Sequence, residues 1–259
     1  MTHTERISNG SNGATCGSNG ILSGRRRQRG AVHHASRSGY PREGGGDLSV
    51  VYTNEPVSVE SSIQTREKLL AEDKYQAVGF DLEFTSGPAR QDQKVVVAQL
   101  CVRHDVLVYH YHMATRPCKR FARLINNLDY NFATVDSTND LKALDVSGLT
   151  CQNLVNIRDH YKVWGSTNNK QNFLVDLSSA IIDSYYMKTK DESKKDKTAS
   201  HSAWDQKLDK EHVKYAAKDA YTSYEMYKRL VDMRKFVHPA RDEGSSHIVV
   251  AGVSQEVDD

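Results

Sequence analysis

The stretch VGFDLEF, Val78 to Phe84, sets Asp81 and Glu83 two residues apart in an otherwise apolar run. Carboxylates are poor strand formers and are costly to remove from water. In a strand, Phe80, Leu82 and Phe84 share one face while Asp81 and Glu83 share the other. An ordinary half-buried strand with a wet face accounts for that alternation. The chemical reading is that two carboxylates converge on a divalent cation, because hard ions take several oxygen ligands.

Two further stretches carry groups of the same kind. In EHVKYAAKDAYTSYEMY, Glu211 to Tyr227, Tyr215 and Asp219 are four apart and so stack on one helical face. The small residues Ala216, Ala217 and Ala220 beside them let such a helix sit tightly against a sheet. A boundary tyrosine with a nearby acid is also common on amphipathic helices. In STNDLKAL, Ser137 to Leu144, Asp140 falls in the first turn of a helix, where an acid suits the helix dipole.

These residues need elements to hold them. Ala77 to Phe84, Val95 to Val102 and Val106 to His112 read as three consecutive antiparallel strands, the last two joined by a turn at Arg103-His104-Asp105. Phe121, Leu124, Ile125 and Leu128 are spaced as one helical face. Phe132 to Val135 and Leu154 to Ile157 are short strand candidates, with Ser137 or Thr138 as a helix cap between them. Phe173, Leu174, Leu177, Ile181 and Ile182 give another amphipathic helix, and Asp209 caps the last one. A meander followed by alternating helices and strands predicts a mixed α/β domain with helices on both faces.

The chain of 259 residues is uneven. Ten of its 16 glycines fall between Asn9 and Gly46, among almost no large apolar residues. Composition predicts disorder over residues 1–60, one domain over 61–235 and a loose tail over 236–259. The net charge of +2 does not by itself announce a nucleic-acid binder. Arg25, Arg26, Arg27 and Arg29 form a short basic cluster, and Lys188, Lys190, Lys194, Lys195 and Lys197 lie in a polar loop; both read as solvated charge. The four cysteines, Cys16, Cys101, Cys118 and Cys151, form no C-x-x-C, and the polar start is unlike a signal peptide. Free thiols in an intracellular protein, nuclear or cytoplasmic, are expected, with no membrane span. His110 and His112 alternate on a strand without a partner at metal-ligand spacing, and read as a strand-surface pair.

Taken in order, Asp-x-Glu on the first strand, a helix-start Asp about 60 residues later and Tyr-x-x-x-Asp on the last helix resemble the DEDD 3′–5′ exonuclease superfamily. The tyrosine-bearing branch, and within it the Werner-syndrome-like exonucleases including stand-alone plant members, looks nearest. VVVAQLCV and AWDQKLDKEHVKYAAKDAYTSYEMYKRL are similar to that family as well. Phe84 stands where members often have Trp or Tyr, and the glycine usual before the second motif's Asp is missing. The resemblance implies an RNase-H-like fold with a mixed five- to six-stranded sheet. It implies two Mg²⁺ or Mn²⁺ ions held by Asp81, Glu83, Asp140 and Asp219, with Tyr215 orienting the attacking water. The implied activity is release of nucleoside 5′-monophosphates from DNA or RNA 3′ ends, with any helicase partner a separate chain. An RNA-trimming enzyme of the ribonuclease D kind shares that site. The alternative is a catalytically silent nuclease fold that binds nucleic acid or an adaptor partner.

Overall fold

The centre of the molecule is a hairpin of apolar strands. β4 (Val95–Val102) is buried along its whole length and turns through Arg103, at φ 56°, into β5 (Asp105–Tyr109). β3 (Ala77–Phe84) pairs antiparallel with β4 on its other side, with Asp81 opposite Gln99 and an irregularity between Glu83 and Phe84. In this computed structural model the described residues are 31–35, 48–85, 93–161, 173–183 and 204–237, with side chains omitted at 31–35 and 235–237. The expected basic cluster at Arg25–Arg29, the lysine-rich loop and the tail beyond 237 lie outside them.

The remaining strands are β1 (Ala31–Ala35), β2 (Leu48–Thr53), β6 (Asn131–Thr134) and β7 (Leu154–Asn156). The sheet runs β1-β2-β5-β4-β3-β6-β7. β2 lies parallel to β5, and β6 parallel to both β3 and β7. The helices are α1 (Pro56–Ala71), α2 (Lys119–Ile125), α3 (Ser137–Val146), α4 (Ile157–His160), α5 (Leu174–Ile181) and α6 (Lys210–Val237). None is long and apolar enough to cross a membrane.

Strand alternation divides the core. Val78, Phe80 and Leu82 pack with Val59 and Ile63 of α1, Phe121 and Leu124 of α2, and Leu144 of α3. The opposite face, with Ala77, Val97, Cys101 and Val108, is covered by Val213, Ala216, Ala217, Ala220 and Tyr224 of α6. Leu177 and Ile181 of α5 meet Met226 of α6 over Ala133. The fold is therefore a mixed α/β sheet with helices on both faces, as its pattern predicts.

The sheet is the expected mixed one, with β1 pairing outside β2 as its seventh strand. One expectation needs correction. The segment expected to be disordered to residue 60 contains β2 and the start of α1, with Leu48 and Val50 both buried. β2 is hidden from composition because its partner, β5, is more than 50 residues away and the pairing is parallel. α1 is hidden because polar groups occupy its buried stripe. Arg66, 1% exposed, donates to Ser62 Oγ and lies 2.8 Å from Asp105. A buried cation with local partners leaves no apolar period to read.

Candidate active site

β3 presents Asp81 and Glu83 on the face that α6 crosses. The crossing is close because Gly79 has no side chain: a Cβ there would collide with Ala220 O and come 2.7 Å from the Tyr224 backbone nitrogen. On the N-terminal side of that contact, α6 carries Asp219, next to Ala220, and Tyr215, one turn earlier still. The Tyr215 hydroxyl donates to the Asp219 carboxylate. Asp140 comes from the first turn of α3, directly after β6, and accepts from Thr134 Oγ1 at 2.7 Å. All five expected site residues thus come within electrostatic reach of one another near the ends of β3 and β6.

The cluster is partly dry. Asp140 is 3% exposed and Asp219 9%, while Asp81 and Glu83 keep partial solvent access. Desolvation is nonetheless the main cause that holds the Asp81 carboxyl well above the usual range, and Glu83, Asp219 and Asp140 add like-charge repulsion. Glu83 is raised for the same reasons, burial first, then Asp219 and Asp140. Burial pushes Asp140 up to about 7, against the Thr134 hydrogen bond. Asp219 is pushed up to about 7 by burial, against its bond from Tyr215. The Tyr215 hydroxyl is itself raised, first by the Asp219 charge and then by burial. Asp140 and Asp219 lift the proton affinity of both Asp81 and Glu83, so the four carboxyls stand within electrostatic reach.

Hard oxygen donors under mutual repulsion are what a divalent cation neutralises, so this donor set fits Mg²⁺ or Mn²⁺ chemically. Among the described residues, no three His, Cys, Asp or Glu side chains already form a tight metal-binding group.

Neighbours that were not singled out as site residues complete the surroundings. Gln99, the one polar residue of β4, is 0% exposed opposite Asp81, and neither amide atom has a hydrogen-bond partner. Its only sequence signal is a polar residue inside an apolar run. Trp204 is buried and stands 6.2 Å, ring to ring, from Tyr215 and 5.1 Å from His212. Asp209 caps α6 by accepting from the His212 backbone N–H at 2.9 Å. His110, expected on the strand surface, is instead 0% exposed, with Nδ1 2.9 Å from the Tyr52 hydroxyl. His112 is exposed. Cys101, Cys118 and Cys151 are free and buried.

No curated protein matches the chain. The exonuclease domain of Aedes aegypti Nibbler is similar in fold, with a TM-score of 0.50 at 16% identity over 72% of this chain and 88% of that one. Trypanosoma brucei RNase D, in complex with GMP, reaches 0.54 at 16% identity over 70% of this chain and 57% of its own. The same enzyme in complex with RNA U12 gives 0.52 at 16% identity, over 70% and 62%. A family profile described as 3′–5′ exonuclease matches residues 56–235. The chain belongs to this 3′–5′ exonuclease family.

Proposed function

We propose that this chain is a metal-dependent 3′–5′ exonuclease of the tyrosine-bearing DEDD branch, Werner-like in its motifs. One observation carries the reading: four carboxyls and a tyrosine from β3, α3 and α6 come within electrostatic reach, each with its proton affinity raised. A cluster of perturbed titratable groups is a functional-site signature. The family match supports exonuclease chemistry, and the RNA complex of the similarly folded RNase D supports a nucleic-acid substrate.

In this reading Asp81, Glu83, Asp140 and Asp219 hold Mg²⁺ or Mn²⁺. The bound ions supply charge neutralisation at the scissile phosphate and a polarised water. The rest falls to the chain. Thr134 fixes the Asp140 carboxylate by a hydrogen bond. Tyr215 has its proton affinity raised, so at neutral pH it keeps its proton and acts as a hydrogen-bond donor, not a base. Tethered to Asp219, that hydroxyl orients the attacking water toward the terminal phosphodiester. The product is a nucleoside 5′-monophosphate.

The test is to incubate purified protein with 3′- and 5′-labelled DNA and RNA, with and without Mg²⁺ or Mn²⁺, beside Asp81→Ala. Stepwise shortening from the 3′ end that needs metal and is lost in Asp81→Ala is the expected result. A wild type that binds labelled strands yet never shortens them would establish the silent fold instead.

A further inference from the structure

The family match begins at residue 56, yet β2, residues 48–53, reaches the site's surroundings from outside it. Its Tyr52 hydroxyl accepts the Leu208 backbone N–H at 3.1 Å and lies 2.9 Å from His110 Nδ1. The hydroxyl thus bridges the Leu208 backbone and the His110 ring, whichever of Tyr52 Oη and Nδ1 carries the shared proton. The Trp204 backbone lies beside that ring without completing a hydrogen bond to Nε2. His110 is fully buried, and burial holds its pKa down to about 4, so the ring stays neutral at pH 7.

This network fastens the segment Trp204–Leu208 to the sheet immediately before α6. The segment's Trp204 ring lies along the first turns of α6, against His212 and Tyr215. We infer that Tyr52 is a positioning residue: through Leu208 and His110 it seats Trp204 against Tyr215 and so fixes where the Tyr215 hydroxyl points. β2 is then a working part of the site, not an appendage of the domain. The kinetic consequence rests on the exonuclease reading above; the seating of Trp204 does not.

Tyr52→Phe keeps the ring and removes only the bridging hydroxyl. The full chain has two tryptophans, so a Trp164→Phe background makes Trp204 the sole emitter. There, Tyr52→Phe should red-shift the emission and raise acrylamide quenching, with far-UV circular dichroism unchanged. Tyr111→Phe, whose residue packs with the opposite-face cluster, should leave both signals alone. Single-turnover cleavage should fall about fivefold in Tyr52→Phe, the scale of one neutral hydrogen bond. The double variant Tyr52→Phe/Tyr215→Phe should cleave no more slowly than Tyr215→Phe, because both changes remove one function. Mn²⁺ affinity should not move. Unchanged emission and quenching in Tyr52→Phe would overturn the brace. Multiplied losses in the double variant would overturn its action through Tyr215. An inactive wild type whose Tyr52→Phe variant still exposes Trp204 would sink the exonuclease reading and leave the brace standing.

Discussion

Asp81 and Tyr215 stand in one cluster but do different work in the proposed reaction, and substitution should grade them. Asp81→Ala removes a carboxylate that shares repulsion with Glu83, Asp219 and Asp140, and with it a metal anchor. Removing one transition-state electrostatic group typically costs about 10²–10³ in rate, so a loss of at least that size is expected here. Tyr215→Phe keeps the ring beside Trp204 and deletes only the hydroxyl; its loss should be smaller. Single-turnover cleavage should rank wild type, Tyr215→Phe, then Asp81→Ala, with unchanged circular dichroism. Equal rates for Asp81→Ala and wild type would remove the carboxylate assignment. The side chains of this cluster were readable one element at a time, since strand alternation aims Asp81 with Glu83 and helical spacing aims Tyr215 with Asp219. Gln99 and Trp204 were not readable that way. Their nearness to Asp81 and Tyr215 depends on β3–β4 register and on how an approach segment lies on α6, which no local period records.

Two glycines separate two ways in which elements are fixed. Gly79 is where α6 touches β3, and a methyl group there meets backbone, not a flexible side chain. Gly79→Ala should destabilise the fold by about 3 kcal/mol or more, at the upper end of overpacking costs, and should cut activity in the surviving folded fraction by moving Asp219 away from the cluster. Gly148 ends α3 at φ +67°, with its own N–H donating to Asp145 O and the Leu149 N–H to Leu144 O. Nothing crowds it, so Gly148→Ala should cost only about 1 kcal/mol, the penalty of a left-handed backbone. Urea denaturation of the two variants checks the order. Most of these elements were legible: the β3–β4–β5 meander, β6, β7, the helix capped by Asp209 and the face of α5 all follow from period and turn chemistry. α1 and β2 were not. The first hides Arg66 and Ser62 in its buried stripe, and the second joins the rest of the sheet through a distant parallel partner.

At the scale of the molecule, the boundary and the acid cluster each govern stability. A chain truncated to begin at Ser61 loses β2 and the first turn of α1, and with them buried Leu48, Val50 and Val59, each worth roughly 1.5–3 kcal/mol, so it should melt below one that begins at Leu48. Equal melting temperatures would put β2 outside the domain. The acid cluster gives the chain a pH response of definite sign. Folding raises Asp219 and Asp140 from the ordinary carboxylate value, near 4, to about 7, chiefly by burial. The folded state therefore holds protons that the unfolded state has released between those values, and stability falls as pH rises through that window. For one such group the full loss is no more than about 4 kcal/mol, since each tenfold change in proton affinity corresponds to about 1.36 kcal/mol. Without metal, wild type should lose ground to Asp219→Asn, which has no charge to bury, as pH goes from about 4.5 to 7.5. Divalent cation reverses the sign, because it binds the ionised cluster and stabilises by mass action, about 2.7 kcal/mol at a hundredfold excess over Kd. Millimolar Mg²⁺ or Mn²⁺ should thus raise the wild-type melting temperature strongly near pH 7.5, weakly near pH 5, and scarcely at all in Asp81→Ala/Asp219→Ala. A metal-induced rise that is the same at both pH values, or that survives the double substitution, would place the ion somewhere other than these carboxylates.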